Sequence, residues 1–265
     1  MVRFFKYVAA GNDFVIINEC ETGGFKLTKE NIVRICDRRF GVGADGILLH
    51  CAPESKNAHA KMTIFNSDGS TAEMCGNGIR CFALYLATDC GLSFNPLKIE
   101  TGNGLLEARC EKAGNTFRIS ATLGKAKVID ETKTVDFGGC SFIRTGFSTG
   151  NPHLVYIAEN GADTDVEELW KLRELGYETN VELVTDIDLD GNCAKVDVYE
   201  RGAGRTLACG TGGAAVANTL LKIGKIHKNQ IFTVKYPGGD IDYTINDDGE
   251  TIISGIPLKT FTGDF

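Results

Sequence analysis

The chain has 265 residues, 43% of them hydrophobic, and a formal net charge of −7, enough apolar material to bury one large core or two of ordinary size. An acidic chain with no Lys/Arg cluster is excluded as a partner of the phosphate backbone of nucleic acid. There is no run long enough to span a bilayer, and Met1 to Asp13 lacks the uninterrupted apolar stretch of a signal peptide, so a soluble cytoplasmic protein that does not engage membranes is expected. Ten cysteines without a Cys-x-x-Cys spacing read as small core residues rather than as a disulfide framework.

In chain order, residues 4–18 read as strand, loop (Ala9-Ala-Gly-Asn-Asp13) and strand (Phe14-Val-Ile-Ile17). Thr28 caps a helix carrying Ile32, Val33, Ile35 and Cys36, with Leu27 packing back on Ile32 and the end near Arg39. Gly41-Val-Gly43-Ala-Asp-Gly46 matches the dinucleotide fingerprint in letters, but it follows a helix and precedes the strand Ile47-Leu-Leu49, the reverse of the required context, so a dinucleotide site is rejected. Lys61-Met-Thr-Ile-Phe65 is a strand entering the turn Asn66-Ser-Asp-Gly69. After Cys75-Gly-Asn-Gly78, residues Ile79, Phe82, Ala83, Leu86 and Ala87 form the stripe of a helix that stops at Gly91. From Pro96 to Leu123 short β-like runs alternate with Gly/Asn turns, as in an antiparallel sheet.

The second half repeats these devices. Gly150-Asn-Pro-His-Leu-Val-Tyr-Ile157 parallels Gly11-Asn-Asp-Phe-Val-Ile-Ile-Asn18, an offset of 150 − 11 = 139. Asp165 and Glu168 form a capping pair for a helix with Val166, Leu169, Trp170 and Arg173 that ends at Gly176. Lys195 to Glu200 parallels Lys61 to Asn66, and Cys209-Gly-Thr-Gly212 parallels the first cysteine motif, both at an offset of 209 − 75 = 134. The uncharged run Gly212 to Leu221 predicts a helix buried nearly all round. The expected fold is α+β: two pseudosymmetric domains, 1–122 and 123–254, each a mixed or antiparallel sheet curled around a central buried helix. Residues 255–265 form a tail that returns to the first half.

A cysteine in the first turn of a helix lies beside unpaired N–H groups and the positive end of the dipole, which lowers its pKa. Glycines around Asn77 and Thr211 admit a carboxylate to those N–H groups. If two such starts face one cleft, an acid's α-carbon lies between a thiolate and a thiol, a two-base arrangement that inverts a stereocentre. The pair then shares one proton and titrates as a unit. One Cys-Gly is ordinarily a small residue packed at a helix start, but two copies in register point to chemistry. Seven of the remaining eight cysteines, Cys20, Cys36, Cys51, Cys90, Cys110, Cys140 and Cys193, are assigned to structure, and Cys81, a turn and a half inside its helix, is intermediate. None of His50, His59, His153 and His227 has spacing that suggests zinc, so no metal is expected. His153 either lines the site or makes a local hydrogen bond. Glu200 and Arg201 are adjacent at a strand end, where alternation lets one face a cleft; a solvated loop explains them equally well.

At Met74-Cys-Gly-Asn-Gly-Ile-Arg80 and Ala208-Cys-Gly-Thr-Gly212 the chain resembles the diaminopimelate epimerase family. The likeness extends through Gly11-Asn-Asp-Phe14, Phe40 to Asp45, Phe65 to Ser70, Gly150-Asn-Pro-His153, Thr179-Asn-Val-Glu182 and Tyr199-Glu-Arg-Gly202. The resemblance implies interconversion of LL- and meso-diaminopimelate without pyridoxal phosphate or another cofactor, by a homodimer whose two-domain protomers close over the substrate. It implies Cys75 and Cys209 as the acid/base pair, N–H groups of Gly76, Asn77, Gly210 and Thr211 on the reacting carboxylate, and Asn12 orienting the reacting end. Asn66, Asn151, Asn180, Glu200 and Arg201 would hold the substrate, the last two at its distal end. The chain departs from the family at Val8-Ala-Ala10, at Gly46, where some members carry Gln, and at Arg205, where many carry Glu. These departures leave room for another substrate. The alternatives are a cofactor-independent racemase of another amino acid, such as glutamate or proline, and a non-catalytic amino-acid binder.

Overall fold

The first hairpin follows from two largely apolar, buried runs and a two-residue turn. β1 (Arg3–Ala9) and β2 (Asn12–Asn18) pair antiparallel around Ala10 and Gly11, whose φ angles are 48° and 77°, the positive values a type I′ turn demands. This computed structural model describes residues 1–93, 95–158, 164–172 and 179–265. They form two units, Met1–Ala121 with Ser254–Phe265, and Thr122–Ile253.

In the first unit, Thr28 caps α1 (Lys29–Cys36) by accepting from Asn31 N at 3.3 Å. Ile32, Ile35 and Cys36 are buried with Val15, Ile17 and Ile47, and Leu27 packs on the same cluster. Two details differ from expectation. Val33 is exposed, and the helix ends at Cys36 rather than near Arg39. Asp37 turns extended there, and its carboxylate accepts from the N–H groups of Arg39 and Phe40, starting a separate turn. β3 (Gly46–Cys51) then lies parallel to β2, β4 (Ala60–Asn66) antiparallel to β3, and β5 (Thr71–Ala72) antiparallel to β4. After α2 (Gly76–Thr88), β6 (Leu97–Thr101) lies parallel to β4, and β7 (Gly104–Ala113) and β8 (Thr116–Lys125) extend the antiparallel order.

The second unit opens with an antiparallel pair, β9 (Lys127–Phe137) and β10 (Cys140–Ser148), and then repeats the first. β11 (Pro152–Ala158) is antiparallel to β10; α3 (Val166–Lys171) follows; β12 (Asn180–Asp188) is parallel to β11; β13 (Cys193–Glu200) is antiparallel to β12. β14 (Gly204–Thr206) pairs with β13, α4 (Gly210–Lys222) follows, and β15 (Phe232–Tyr236) is parallel to β13. Thus each helix of the pair α2 and α4 sits inside a parallel crossover. β16 (Gly239–Ile245) is antiparallel to β15, β17 (Glu250–Gly255) follows, and β18 (Leu258–Asp264) pairs antiparallel with β1. Asp165 caps α3 through Glu167 N at 2.7 Å, while Glu168 bonds Lys171 instead of closing a reciprocal box. Arg173 and Gly176, the expected end of α3, lie outside the described residues.

The two central helices are buried over their first eleven residues, Gly76–Leu86 and Gly210–Leu220. α2 packs on β1, β2 and β7, and α4 on β10, β11, β12 and β16. Over these residues α4 carries no charge and α2 only Arg80, which bonds back to its own first turn, so neither helix has a face to give to water and the sheet surrounds it.

Candidate active site

Both motif cysteines are N-caps. Cys75 takes an extended backbone (φ −144°, ψ 116°), and its Sγ accepts from Gly78 N at 3.3 Å. Cys209 does the same (φ −125°, ψ 113°), with Gly212 N at 3.3 Å. A sulfur in the place of a Ser or Asp oxygen satisfies one orphan N–H of the first turn and is held at the positive end of the helix.

Around Cys75 the first unit gathers amides. The thiol points to Asn12 Oδ1 at 3.8 Å, and Asn77 Nδ2 donates to the same oxygen at 3.4 Å. Asn12 is fixed from behind, its Nδ2 donating to Asp45 at 2.7 Å. Arg80, fully buried one turn inside α2, donates to Gly76 O at 3.1 Å and to Asn77 Oδ1 at 2.7 Å, locking the first turn. Asn66 and Gly46 are register partners across β3 and β4. Asn66 donates to Ser70 Oγ at 2.9 Å within its turn. Gly46 offers backbone only, and a Cβ there would meet Phe65 O at 2.5 Å.

Around Cys209 the second unit gathers hydroxyls and two acids, Glu200 and Glu182. Tyr236 donates to Cys209 O, Tyr243 to Gly210 O, both at 2.9 Å, and Thr149 to Thr211 O at 3.1 Å, so three strands or loops grip the carbonyls of the helix start. Thr211 Oγ1 lies 3.5 Å from the sulfur. Glu182 and His153, both 0% exposed, meet at 2.7 Å through Oε1 and Nδ1, and His153 Nε2 reaches Asn151 Oδ1 at 2.9 Å. Asn180 donates to Pro152 O at 3.2 Å and accepts from Arg201 N at 2.9 Å. Glu200 accepts from the Thr206 hydroxyl. Arg205 is explained on the surface, between Asp165 at 3.1 Å and Asp197 at 2.8 Å.

The expectation that a helix start lowers each thiol's pKa fails at Cys209. Burial pushes its pKa up, the carboxylates of Glu200 and Glu182 push it further, and the bonds from Thr211 and Gly212 N only partly oppose them. Burial likewise raises Glu182. Donor atoms of His153, Glu182 and Cys209 lie within 4.8 Å of one another. The 2.7 Å contact between His153 and Glu182 is nevertheless that of a direct hydrogen bond. Two ligands about 2.0–2.2 Å from a tetrahedral zinc ion would stand about 3.3 Å apart.

A sequence model of the family described as "Diaminopimelate epimerase" matches residues 4–129 and 146–257. The diaminopimelate epimerase of Synechococcus elongatus is 35% identical over 99% of this chain and 97% of its own length. The chain belongs to the diaminopimelate epimerase family. The diaminopimelate epimerase of Clostridium perfringens is 36% identical over 95% of both chains. Among solved structures, a hydroxyproline epimerase from Agrobacterium vitis superposes with a TM-score of 0.72 at 12% identity over 99% of this chain and 91% of its own, a likeness of fold alone.

Within each unit this epimerase-family chain collects the predicted residues in short clusters: Asn12, Cys75, Gly76 and Asn77 in one; Asn151 with His153, Asn180 with Arg201, and Cys209 with Gly210 and Thr211 in the other. Glu200 lies at the end of β13. Sequence reasoning missed Arg80, Asp45, Tyr236, Tyr243 and above all Glu182. A signal for Glu182 existed: an acid inside the apolar run Val181-Glu-Leu-Val184, at 182 − 134 = 48, the place of Leu48 in the first copy.

Proposed function

We propose that the chain converts LL-diaminopimelate to meso-diaminopimelate, without pyridoxal phosphate, in the route to lysine and peptidoglycan precursors. The observation that carries this reading is the pair of cysteine N-caps on two buried helices in register, in a chain of the diaminopimelate epimerase family. One sulfur takes the α-proton from one face of the substrate and the other sulfur delivers a proton to the opposite face. Helix N–H groups at Gly76, Asn77, Gly210 and Thr211 hold the carboxylate whose charge grows as the proton leaves. Asn12, bonded to Asp45 and touching Cys75, orients the reacting end. Asn66, Asn151, Asn180, Glu200 and Arg201 bind the remainder. His153, bonded to Asn151, acts on substrate through that amide.

A cytoplasmic homodimer is part of the reading. Its supports are the family resemblance, ten free cysteines and the fact that, among the described residues, no helix is long and apolar enough to cross a membrane.

The test is α-proton exchange in D₂O over a panel of amino acids. Wild-type protein should exchange and epimerise LL-diaminopimelate, and Cys75→Ser and Cys209→Ser should each lose more than about a hundredfold in turnover. Exchange into another amino acid with none into diaminopimelate would give the racemase alternative. No exchange by the wild-type protein, with both serine variants binding diaminopimelate as it does, would make the chain a binder.

A further inference from the structure

The two halves repeat in backbone but not in chemistry at one place. Glu182 corresponds to Leu48 and Gly212 to Gly78, each at the offset of 134 that relates Cys209 to Cys75. The sheets keep that register: Leu48 faces Ile16 across the parallel pair β2–β3, and Glu182 faces Val155 across β11–β12. His153 corresponds to Phe14, since 153 − 14 = 139, the offset of the two Gly-Asn turns. A Cβ on Gly78 would meet Leu48 Cδ2 at 3.3 Å, whereas a Cβ on Gly212 would meet Glu182 Oε1 at 2.3 Å. The start of α2 therefore rests on hydrocarbon and the start of α4 on a carboxyl.

Packing does not account for the acid, because the first half fills the equivalent place with a fully buried Leu48. Burying Glu182 and His153 costs free energy that Leu and Phe do not, and Glu182 Oε2 has no hydrogen-bond partner among the described residues. What the acid changes is the field at the neighbouring sulfur. The positive end of a helix favours a thiolate. At α4 that end already faces a carboxyl lying within 4.8 Å of the thiol-bearing Cys209 site, and at α2 it faces Leu48.

We propose that Glu182, held by His153, is a positioning residue that makes the two thiols unequal, keeping Cys209 as the thiol in the resting protein and leaving Cys75 as the thiolate. The inference rests on the two-thiol reading of the preceding subsection. In that cycle Cys75 S⁻ takes the α-proton, breaking C–H and forming S–H. The electron pair stays on the α-carbon until Cys209 S–H gives it a proton from the other face, and Cys209 becomes the thiolate. The charge on the pair is conserved, and loss of the proton from Cys75 together with gain of one at Cys209, exchanged through solvent, restores the resting state favoured by Glu182.

The groups acting on Cys209 come from several elements: Glu182 on β12 with His153 on β11, Glu200 at the end of β13, the Tyr236 and Tyr243 hydroxyls on β15 and β16, and Thr211 with Gly212 N on its own helix. Only Glu182 is changed in the test, so its share is read by difference.

Thiolate ultraviolet absorbance is titrated for Cys75→Ser and for Cys75→Ser/Cys209→Ser protein; the difference is the ionisation of Cys209. The titration is repeated with Glu182→Gln and with Glu182→Leu added. Gln keeps the size and a bond to His153 without the charge, and Leu copies the first half. Both should move the ionisation of Cys209 down by about one pH unit, roughly tenfold more thiolate at neutral pH. An unmoved ionisation in both, with unchanged circular dichroism, would overturn the proposal. Wild-type epimerisation by Cys75→Ser protein would instead overturn the two-thiol reading, while the effect of Glu182 on Cys209 would still be read independently.

Discussion

Gly78 and Gly212 stand at the same position of two repeated helices, each giving its N–H to the cysteine three residues before it. Their surroundings predict different tolerance. A methyl at Gly78 would meet Cys75 Cβ and Leu48 Cδ2, both at 3.3 Å, contacts that a small shift of hydrocarbon relieves. At Gly212 the methyl would lie 2.3 Å from Glu182 Oε1 and 3.1 Å from Cys209 Cβ, and the carboxyl cannot move without losing His153. Overpacking of a tight interior costs about 1–3 kcal/mol. Gly212→Ala is therefore expected to lower the urea midpoint by an amount in that range, and Gly78→Ala by clearly less. Equal losses would show that Glu182 is free to rearrange.

The helix starts separate stability from chemistry at the scale of an element. Serine is a good N-cap and alanine is not, a difference of about 0.5–2 kcal/mol. Cys75→Ser and Cys209→Ser should keep the thermal midpoint while losing turnover, whereas Cys75→Ala and Cys209→Ala should lose both; parallel calorimetry and epimerisation assays check this. The same scale shows what sequence reasoning can reach. Turns at Ala10-Gly11, the cap at Thr28 and the buried helices after each cysteine were legible because local chemistry demands them. The β9 strand was not: Asp130, Glu131, Lys133 and Asp136 interrupt it and most of it is exposed, so it carries no alternating apolar signal. The end of α1 at Cys36 depended on one side chain, Asp37, bonding two backbone N–H groups, a competition that periodicity does not encode. Glu182 closes the motif Thr179-Asn-Val-Glu182, but its role is hidden in the sequence because a charge in a strand reads as solvent-facing until a fold buries it.

At the scale of the whole molecule, acid groups with opposite shifts oppose each other as pH changes. Burial works to raise the pKa of Asp13, but hydrogen bonds from Arg38 at 2.7 Å and 3.1 Å and the Lys6 ammonium at 2.6 Å overcome it and bring it down to about 2. A depressed carboxyl stabilises the fold above its unfolded value of 3.8, and that contribution is lost as pH falls toward 2. Glu182 has the other sign. Its pKa is raised from 4.5 by burial, so its favourable contribution is complete below 4.5 and is lost as pH rises through its folded value. At neutral pH the buried pair is thus a burden on stability that the first half, with Phe14 and Leu48, avoids. Replacing a buried ionisable pair by hydrocarbon of similar volume is commonly neutral to stabilising by about 1–4 kcal/mol. The double variant His153→Phe/Glu182→Leu, which copies the first half, is expected to melt at or above the wild-type midpoint at neutral pH, by about 2–4 °C per kcal/mol gained. Because Asp13 is common to both proteins, its titration cancels in the difference, and the advantage of the variant should shrink as pH falls toward 4.5. A variant that melts well below wild type at neutral pH would mean that the pair holds the second unit together and is not retained for its effect on Cys209.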